Sequence, residues 1–157
     1  MSDKKLEEYF VVSWSDCDVN GHMRHSSFLD KCADVRIAFL FKYGFNLKAL
    51  NERKIGIFLM KEFAEYRKEV LLRDKLTIDA QLIGTSEDCT RWAIQHTVYR
   101  EKDKCAIVCV EGSILDLNER KILSIVPQDL IDAFSLLPKS KKYKVLNSRR
   151  PNFRLQW

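Results

Sequence analysis

SSFLDKCADVRIAFLFKYG, residues 26–44, is the stretch of the sequence that decides the fold. Its apolar residues recur at three- and four-residue steps, as on one face of an α-helix: Leu29, Cys32, Ala33, Ile37, Leu40 and Phe41, widened by Phe28, Val35 and Phe39. Ser26 or Ser27 is predicted to cap this helix, which runs to Tyr43 and ends at Gly44. So broad an apolar surface predicts a helix that other elements largely enclose.

The rest of the chain predicts a sheet around this helix. Strands are expected in five segments that are apolar or alternate between apolar and polar residues: 6–14, 55–66, 76–82, 92–98 and 105–117. Pro127 opens a short helix, PQDLIDAFSLL, because proline is tolerated in a first helical turn. Hairpin-length connections between the strands indicate an antiparallel sheet. The predicted fold is therefore α+β, with one long helix packed across that sheet.

Length and composition favour a single soluble domain. The chain has 157 residues and 46% hydrophobic content, which suits an ordered core. No apolar segment follows the charged N-terminus as in a signal peptide, and the longest apolar run, Cys105 to Val110, is too short to cross a bilayer. The five cysteines are scattered and odd in number, which indicates reduced thiols and predicts a cytoplasmic protein.

The positive charge lies in the C-terminal segment. Residues 139–157 hold seven lysines and arginines and no acid, whereas the rest of the chain has 20 basic and 22 acidic residues. We therefore divide the chain into a domain, 1–138, and a basic extension, 139–157. The extension is either a solvated segment that aids solubility or one that attracts a phosphate-bearing ligand or partner.

The densest polar cluster, DCDVNGH at residues 16–22, directly precedes the long helix. Asp16 and Asp18 suit a helix start, where the free amides and the helix dipole stabilise a carboxylate. The same free amides can also polarise a carbonyl oxygen as it becomes negative. A carboxylate beside that point could attack the carbonyl or deprotonate a water. The cluster is therefore either a helix cap or a site for acyl-transfer or hydrolysis chemistry.

The order of these motifs resembles the hotdog-fold acyl-CoA thioesterases related to 4-hydroxybenzoyl-CoA thioesterase. The resemblance lies in a strand, then D-x-D-x-x-G-H, then a capped helix containing Phe28 and Arg36. It extends over residues 6–137. It implies a five-stranded antiparallel sheet wrapped around the long helix. It also implies homodimers or dimers of dimers, with active sites between subunits.

Carried over by position, the resemblance implies a role for each matching residue. Asp18 corresponds to the catalytic carboxylate, as nucleophile or general base. The helix start at His25 and Ser26 corresponds to the oxyanion site, with the backbone N–H of His25 binding the thioester oxygen. Asn20, Gly21 and His22 correspond to the turn that shapes the pocket. Apart from the resemblance, we expect the apolar Phe28, Phe58 and Met60 to line an acyl pocket, and Glu62 is a candidate because a carboxylate in an apolar strand needs compensation. Glu62 either orients pocket groups or pairs with Arg36. Relatives often have asparagines near positions 25 and 26 and a tyrosine at 28, where this chain has His25, Ser26 and Phe28.

Other chemistries suit these residues less well. Hotdog hydratases separate their aspartate and histidine by four residues, a spacing that neither Asp16 nor Asp18 has with His22. A metal site built from the Asp16–His25 cluster lacks a strong signature, and we predict none. Cys17 lies between two acids, which disfavours its thiolate. His96 is interpreted as a core or interface histidine with a hydrogen-bond partner.

We therefore expect an acyl-CoA thioesterase that uses neither a metal nor a redox cofactor. Two alternatives stay open, hydrolysis of thioesters of acyl carrier protein and non-catalytic binding of acyl groups. The acidic surface of acyl carrier protein would suit the basic extension. Nucleic-acid binding is not expected, since the cations and aromatic residues of the extension accompany no recognisable nucleic-acid fold.

Overall fold

A computed structural model describes residues 6–148 of the chain. Its elements follow the order of a strand, two helices, five strands, a helix and a last strand. They are β1 (Leu6–Val11), α1 (His25–Lys42), α2 (Leu47–Glu52), β2 (Ile55–Tyr66), β3 (Lys75–Ser86), β4 (Arg91–Arg100), β5 (Asp103–Asp116), β6 (Lys121–Ile122), α3 (Gln128–Ser135) and β7 (Lys139–Leu146). None of the helices within residues 6–148 has the length and hydrophobicity that a transmembrane span needs.

The strands form one sheet whose main path is β1-β3-β4-β5-β2, with every neighbouring pair antiparallel. This path confirms the predicted five-stranded hotdog sheet. Two short additions were not predicted, because β6 pairs with β5 and β7 pairs with β3 in parallel. The first strand is shorter than predicted, since it ends at Val11 and residues 14–16 form a 3₁₀ turn.

Alternation decides which face of each strand meets the helix. In β3 the buried side chains are Leu76, Ile78, Ala80 and Leu82, as the sequence pattern predicts. A bulge in β2 between Leu59 and Lys61 shifts its register against β5. The core lies between this face of the sheet and the helix α1.

The long helix lies across the sheet as predicted, but two details of the prediction are wrong. Helix α1 begins at His25 after Arg24, and no side chain caps it, so Ser26 and Ser27 lie inside the first turn. The helix is also enclosed on one face only within the described chain. Ile37 and Phe41 on its other face are 43% and 46% exposed.

The basic segment begins inside the sheet. Residues 139–146 form β7, and the hydroxyl groups of Tyr143 and Thr85 lie 2.6 Å apart in a hydrogen bond. The Leu82 amide donates to the carbonyl of Pro138 over 2.8 Å, which fixes the entry into this strand. Residues 139–146 are therefore a strand of the sheet and not a separate extension, although most of their side chains are exposed. Residues 149–157 lie outside the described part of the chain.

Candidate active site

A tight turn carries the polar cluster from β1 to the start of α1. The Asp18 amide donates to the carbonyl of His22 over 2.8 Å, and Cys17 pairs with Met23 across the turn. Gly21 has a φ of +75°, a backbone conformation that glycine adopts without steric cost. The Leu72 amide donates to the carbonyl of Gly21, which holds the turn against the segment before β3.

Asp16 has a structural role in this turn. Its carboxylate accepts hydrogen bonds from the Ser13 amide and hydroxyl over 2.9 and 2.7 Å, and Lys31 Nζ lies 3.4 Å away. Burial raises the pKa of Asp16, but the Ser13 hydrogen bonds and the Lys31 charge outweigh it and lower that pKa overall. A buried carboxylate whose partners are this well matched closes the 3₁₀ turn and is not free to react.

Asp18 is positioned differently, with one oxygen held and one free. Its Oδ1 accepts hydrogen bonds from the amides of Asn20 and His22, over 2.8 and 3.1 Å. Within residues 6–148 its Oδ2 has no hydrogen-bond partner. The side chain is half-buried, so this second oxygen is fixed in direction yet accessible.

The start of α1 offers free backbone donors near this turn. Arg24 is tied down by its own amide, which donates to the carbonyl of Asp16, and by its guanidinium, which donates to the carbonyl of Ser15. The amides of His25 and Ser26 have no partner among the described residues, as the first turn of a helix without a side-chain cap leaves them. The helix dipole adds positive potential at these two N–H groups.

A cavity of about 350 Å³ lies at this helix start. It is lined by His22, Met23, His25, Phe28, Tyr66, Arg67, Lys68, Glu69 and Val70. The cavity therefore brings three predicted site residues, His22, His25 and Phe28, to one surface. Its rim is charged, with His22 Nε2 3.0 Å from Glu69 and Lys68 Nζ 2.7 Å from Asp103.

Tyr66 is a residue of this cavity that the sequence reasoning missed. Its hydroxyl donates to the carbonyl of His25 over 3.3 Å, and its ring packs edge-on against Phe28 at 5.3 Å between centroids. Burial, with the nearby charge of Glu62, raises the pKa of Tyr66, so the hydroxyl keeps its proton at neutral pH. Tyr66 thus brings a hydroxyl to the wall of the cavity, where Phe28 has none.

Three predicted pocket residues lie elsewhere on β2. Phe58 is eight positions from Tyr66 along the strand, about 26 Å at the usual rise per residue, and is 55% exposed. Met60 Sδ accepts a hydrogen bond from the hydroxyl of Ser113 over 3.0 Å. Glu62 forms no ion pair with Arg36 in the described chain. One protomer therefore does not bring Phe58, Met60 or Glu62 to the cavity at the helix start.

The environments of Cys17, His96 and the candidate metal ligands do not favour the other chemistries considered. Cys17 donates to the carbonyl of Ser13 over 3.4 Å, and burial, Asp16 and Asp18 all raise the pKa of its thiol. Across residues 6–148, no three His, Cys, Asp or Glu side chains come together in a way that could hold a metal ion. His96 is buried and hydrogen-bonded through both ring nitrogens, as predicted.

Comparison with solved structures identifies the same fold in proteins of low sequence identity. A hypothetical protein from Staphylococcus aureus, solved in complex with CoA, matches with a TM-score of 0.79 at 19% identity, covering 97% of this chain and 92% of that one. A 1,4-dihydroxy-2-naphthoyl-CoA thioesterase from Synechocystis matches with a TM-score of 0.75 at 17% identity, over 85% and 97% of the two chains. A probable thioesterase from Escherichia coli gives 0.70 at 19% identity, over 85% and 99%.

Family comparison gives the assignment directly. No curated protein matches the chain. The sequence pattern of the thioesterase-like superfamily matches residues 12–134, a span that contains the Asp18 turn, α1 and the strands β2 to β5. The chain therefore belongs to the thioesterase-like superfamily, as a hotdog-fold thioester hydrolase.

Proposed function

We propose that this protein hydrolyses acyl-CoA thioesters with Asp18 as its reactive carboxylate. The observation that carries the proposal is the pairing of a fixed, half-free carboxylate with an uncapped helix start. A thioester carbonyl needs both a nucleophile and a stabilised oxyanion, and these two features supply them. The CoA complex of the Staphylococcus aureus protein and the CoA substrate named for the Synechocystis enzyme support coenzyme A as the thiol.

Two routes use the same groups. In the first, Asp18 takes a proton from a water whose oxygen bonds to the thioester carbon. In the second, Asp18 bonds to that carbon itself and water later cleaves the resulting anhydride. In both, the amides of His25 and Ser26 would donate hydrogen bonds to the oxyanion. In the first route the carbon–sulfur bond then breaks, the coenzyme A thiolate takes the proton held by Asp18, and the acid is released. In the second route the carbon–sulfur bond breaks as the anhydride forms, the thiolate takes a proton from solvent, and the later attack of water releases the acid and restores Asp18. Neither route needs a metal or a redox cofactor.

Tyr66 would support the oxyanion site by positioning. Its hydroxyl holds the carbonyl of His25, and its ring contacts Phe28 in the same first turn of the helix. Asn20 and His22 would aim Asp18 through their amides, and Gly21 allows the turn that brings those amides round. These residues shape the site rather than exchange protons with the substrate.

We also propose that two copies pair through β2, as a homodimer or a dimer of dimers. This 12-residue strand is an edge of the main sheet, and Phe58 and Phe63 on it are largely exposed. A long edge of this kind is a template for pairing with another strand. An antiparallel pair of β2 strands would carry Phe58, Met60 and Glu62 of one copy toward the helix start of the other.

Acyl carrier protein is a second candidate for the thiol. The lysines of β7 at positions 139, 141, 142 and 144 lie on one short strand at the sheet edge. Their charge would complement an acidic carrier.

The described cysteines are all free thiols, which supports a reducing compartment such as the cytoplasm.

The test is a hydrolysis screen of acyl-CoA and acyl-carrier thioesters in which a thiol reagent detects the released thiol. Asp18→Asn keeps the side-chain oxygen that closes the turn but removes the base, so we expect kcat to fall by about 100-fold or more with the fold intact. Asp34→Asn, which changes an exposed aspartate of α1, is the matched control and should keep full activity. Undiminished turnover by Asp18→Asn would contradict the mechanism.

A further inference from the structure

A second cavity, of about 420 Å³, lies between the C-terminal half of α1, the short helix α2 and the start of β2. Its walls are almost entirely apolar, with Ile37, Leu40, Leu50 and Ile57 among them. It shares no lining residue with the cavity at the helix start. Neither proposed reaction route uses this second cavity.

One cation, Arg36, stands in this apolar wall. Its guanidinium is half-buried, and Nη1 donates to His96 Nε2 over 3.0 Å. His96 Nδ1 lies 2.9 Å from the carbonyl of Asp79, which can only accept, so the ring proton is on Nδ1 and Nε2 is the acceptor for Arg36. Burial and the Arg36 charge lower the pKa of His96 to about 3, so this partner is neutral.

The charge of Arg36 is therefore not neutralised by direct contact. Among residues 6–148, no carboxylate lies within ion-pair distance of its guanidinium. Glu62 on β2 acts on it electrostatically without forming a bridge. Buried or half-buried guanidinium groups normally have an anionic partner, because an unpaired charge away from water is costly.

Trp92 also lines this cavity and is only 3% exposed. An apolar space that holds a cation without an ion-pair partner suits a ligand with a long apolar body and an anionic end.

We propose that this cavity binds a free carboxylic acid with an extended apolar body, whose carboxylate pairs with Arg36. A cavity of about 150 Å³ holds the six carbon atoms of benzene, so 420 Å³ has room for about 17 carbon atoms at the same density. This site goes beyond the proposed hydrolysis, since it lies apart from Asp18 and requires no reaction. Arg36 is the residue that distinguishes an acid from an uncharged molecule of the same length.

Titration with dodecanoate tests the proposal in the full-length protein. Trp14→Phe and Trp157→Phe leave Trp92 as the single tryptophan, so its emission reports occupancy of the cavity. We expect saturable binding of one acid per chain with a Kd on the order of 10 µM. Dodecan-1-ol has the same chain without the charge, so its affinity should be lower by about ten-fold or more. Butanoate, whose apolar body is short, should not bind measurably.

The charge is tested by Arg36→Gln, whose amide can still donate to His96. This variant should weaken dodecanoate binding by about ten-fold or more and leave dodecan-1-ol unchanged. Lys42→Gln removes one positive charge from the same helix outside the cavity and should change neither ligand. If Arg36→Gln does not fold, the comparison of acid and alcohol in the wild type decides the question alone.

Three results would overturn the proposal. They are equal affinity for dodecanoate and dodecan-1-ol, an Arg36→Gln variant that loses both ligands equally, and no response of Trp92 to either ligand. The last result would also be seen if side chains of a second copy fill the cavity. Asp18→Asn should bind dodecanoate as the wild type does, so loss of the catalytic mechanism and loss of this site are distinguishable.

Discussion

At the scale of single residues, two aspartates two positions apart have different environments. Asp16 is 8% exposed and bound by Ser13 and Lys31, whereas Asp18 is held through one oxygen only. The sequence left two interpretations of this cluster open, a helix cap and a reaction site. It could not assign them to single residues, because the partners of Asp16 depend on how the 3₁₀ turn folds back.

Asp16→Asn should lower the free energy of unfolding by about 1–3 kcal/mol at pH 7. The asparagine side chain has no charge for Lys31 and one acceptor oxygen fewer for the amide and hydroxyl of Ser13. The folded pKa of Asp16 is lowered, so its contribution is complete above the unfolded pKa near 4 and is lost as pH falls through the folded value. Urea unfolding at pH 7 and in acid measures both effects. Asp30→Asn, on the exposed side of α1, should show neither, and equal losses in both variants would argue against this role.

Burial of His96 makes the stability of the fold depend on pH. Its folded pKa of about 3 lies below the unfolded value near 6.5, so the unfolded chain binds the extra proton between these two values. Stability should therefore fall by about 2 kcal/mol between pH 7 and pH 5 through this residue alone. His96→Gln should remove that part of the slope and His25→Gln should not, as urea unfolding at the two pH values would reveal.

Tyr66→Phe removes the hydroxyl that holds the carbonyl of His25 and keeps the ring against Phe28. We expect kcat to fall by about 3- to 10-fold, the worth of one ordinary hydrogen bond, with KM nearly unchanged. Tyr9→Phe changes a tyrosine that is exposed on β1 and should have no effect. A rise in KM with kcat unchanged would mean that Tyr66 acts on substrate binding instead.

At the scale of elements, periodicity predicted the helices and strands that carry the core. Helix α1 and the strands β3 to β5 were predicted within four residues of their ends, and β2 was predicted at both ends. The contact of Tyr66 with the helix start was not predicted. It joins positions 41 residues apart, and no local sequence pattern encodes such a contact. The cavity beside Arg36 was missed for the same reason, since residues of seven separate helices and strands form its walls.

Strand β7 was missed because charge dominates its sequence, KSKKYKVL. An edge strand tolerates such lysines, since one side of it faces water. Deleting residues 139–157 should lower the thermal midpoint by several degrees, because it exposes the edge of β3 and breaks the Arg91–Asn147 hydrogen bond. Deleting only residues 149–157 is the matched control. Equal midpoints for the two deletions would mean that β7 adds nothing to stability.

At the scale of the whole molecule, one protomer leaves the β2 edge and the second face of α1 uncovered. A helix enclosed all round, as the sequence predicts, would need a second copy to cover Ile37 and Phe41. Phe58→Lys should therefore shift the protein toward monomers and lower its thioesterase activity, because charge on an edge strand opposes pairing. Sedimentation measures the mass, and Tyr9→Lys on the opposite edge should leave it unchanged.

The turn that holds Asp18 also constrains which sequences can replace it. Aspartate and asparagine carry an oxygen well placed to accept from the amides of positions 20 and 22, and serine and threonine can do so only more weakly. A homologous protein that has lost the reaction but keeps the turn should therefore have asparagine at position 18. A homologue that has lost both the reaction and the turn can have any residue at this position. The residue at position 18 would therefore separate inactive homologues that still need this turn for their structure from those that no longer need it.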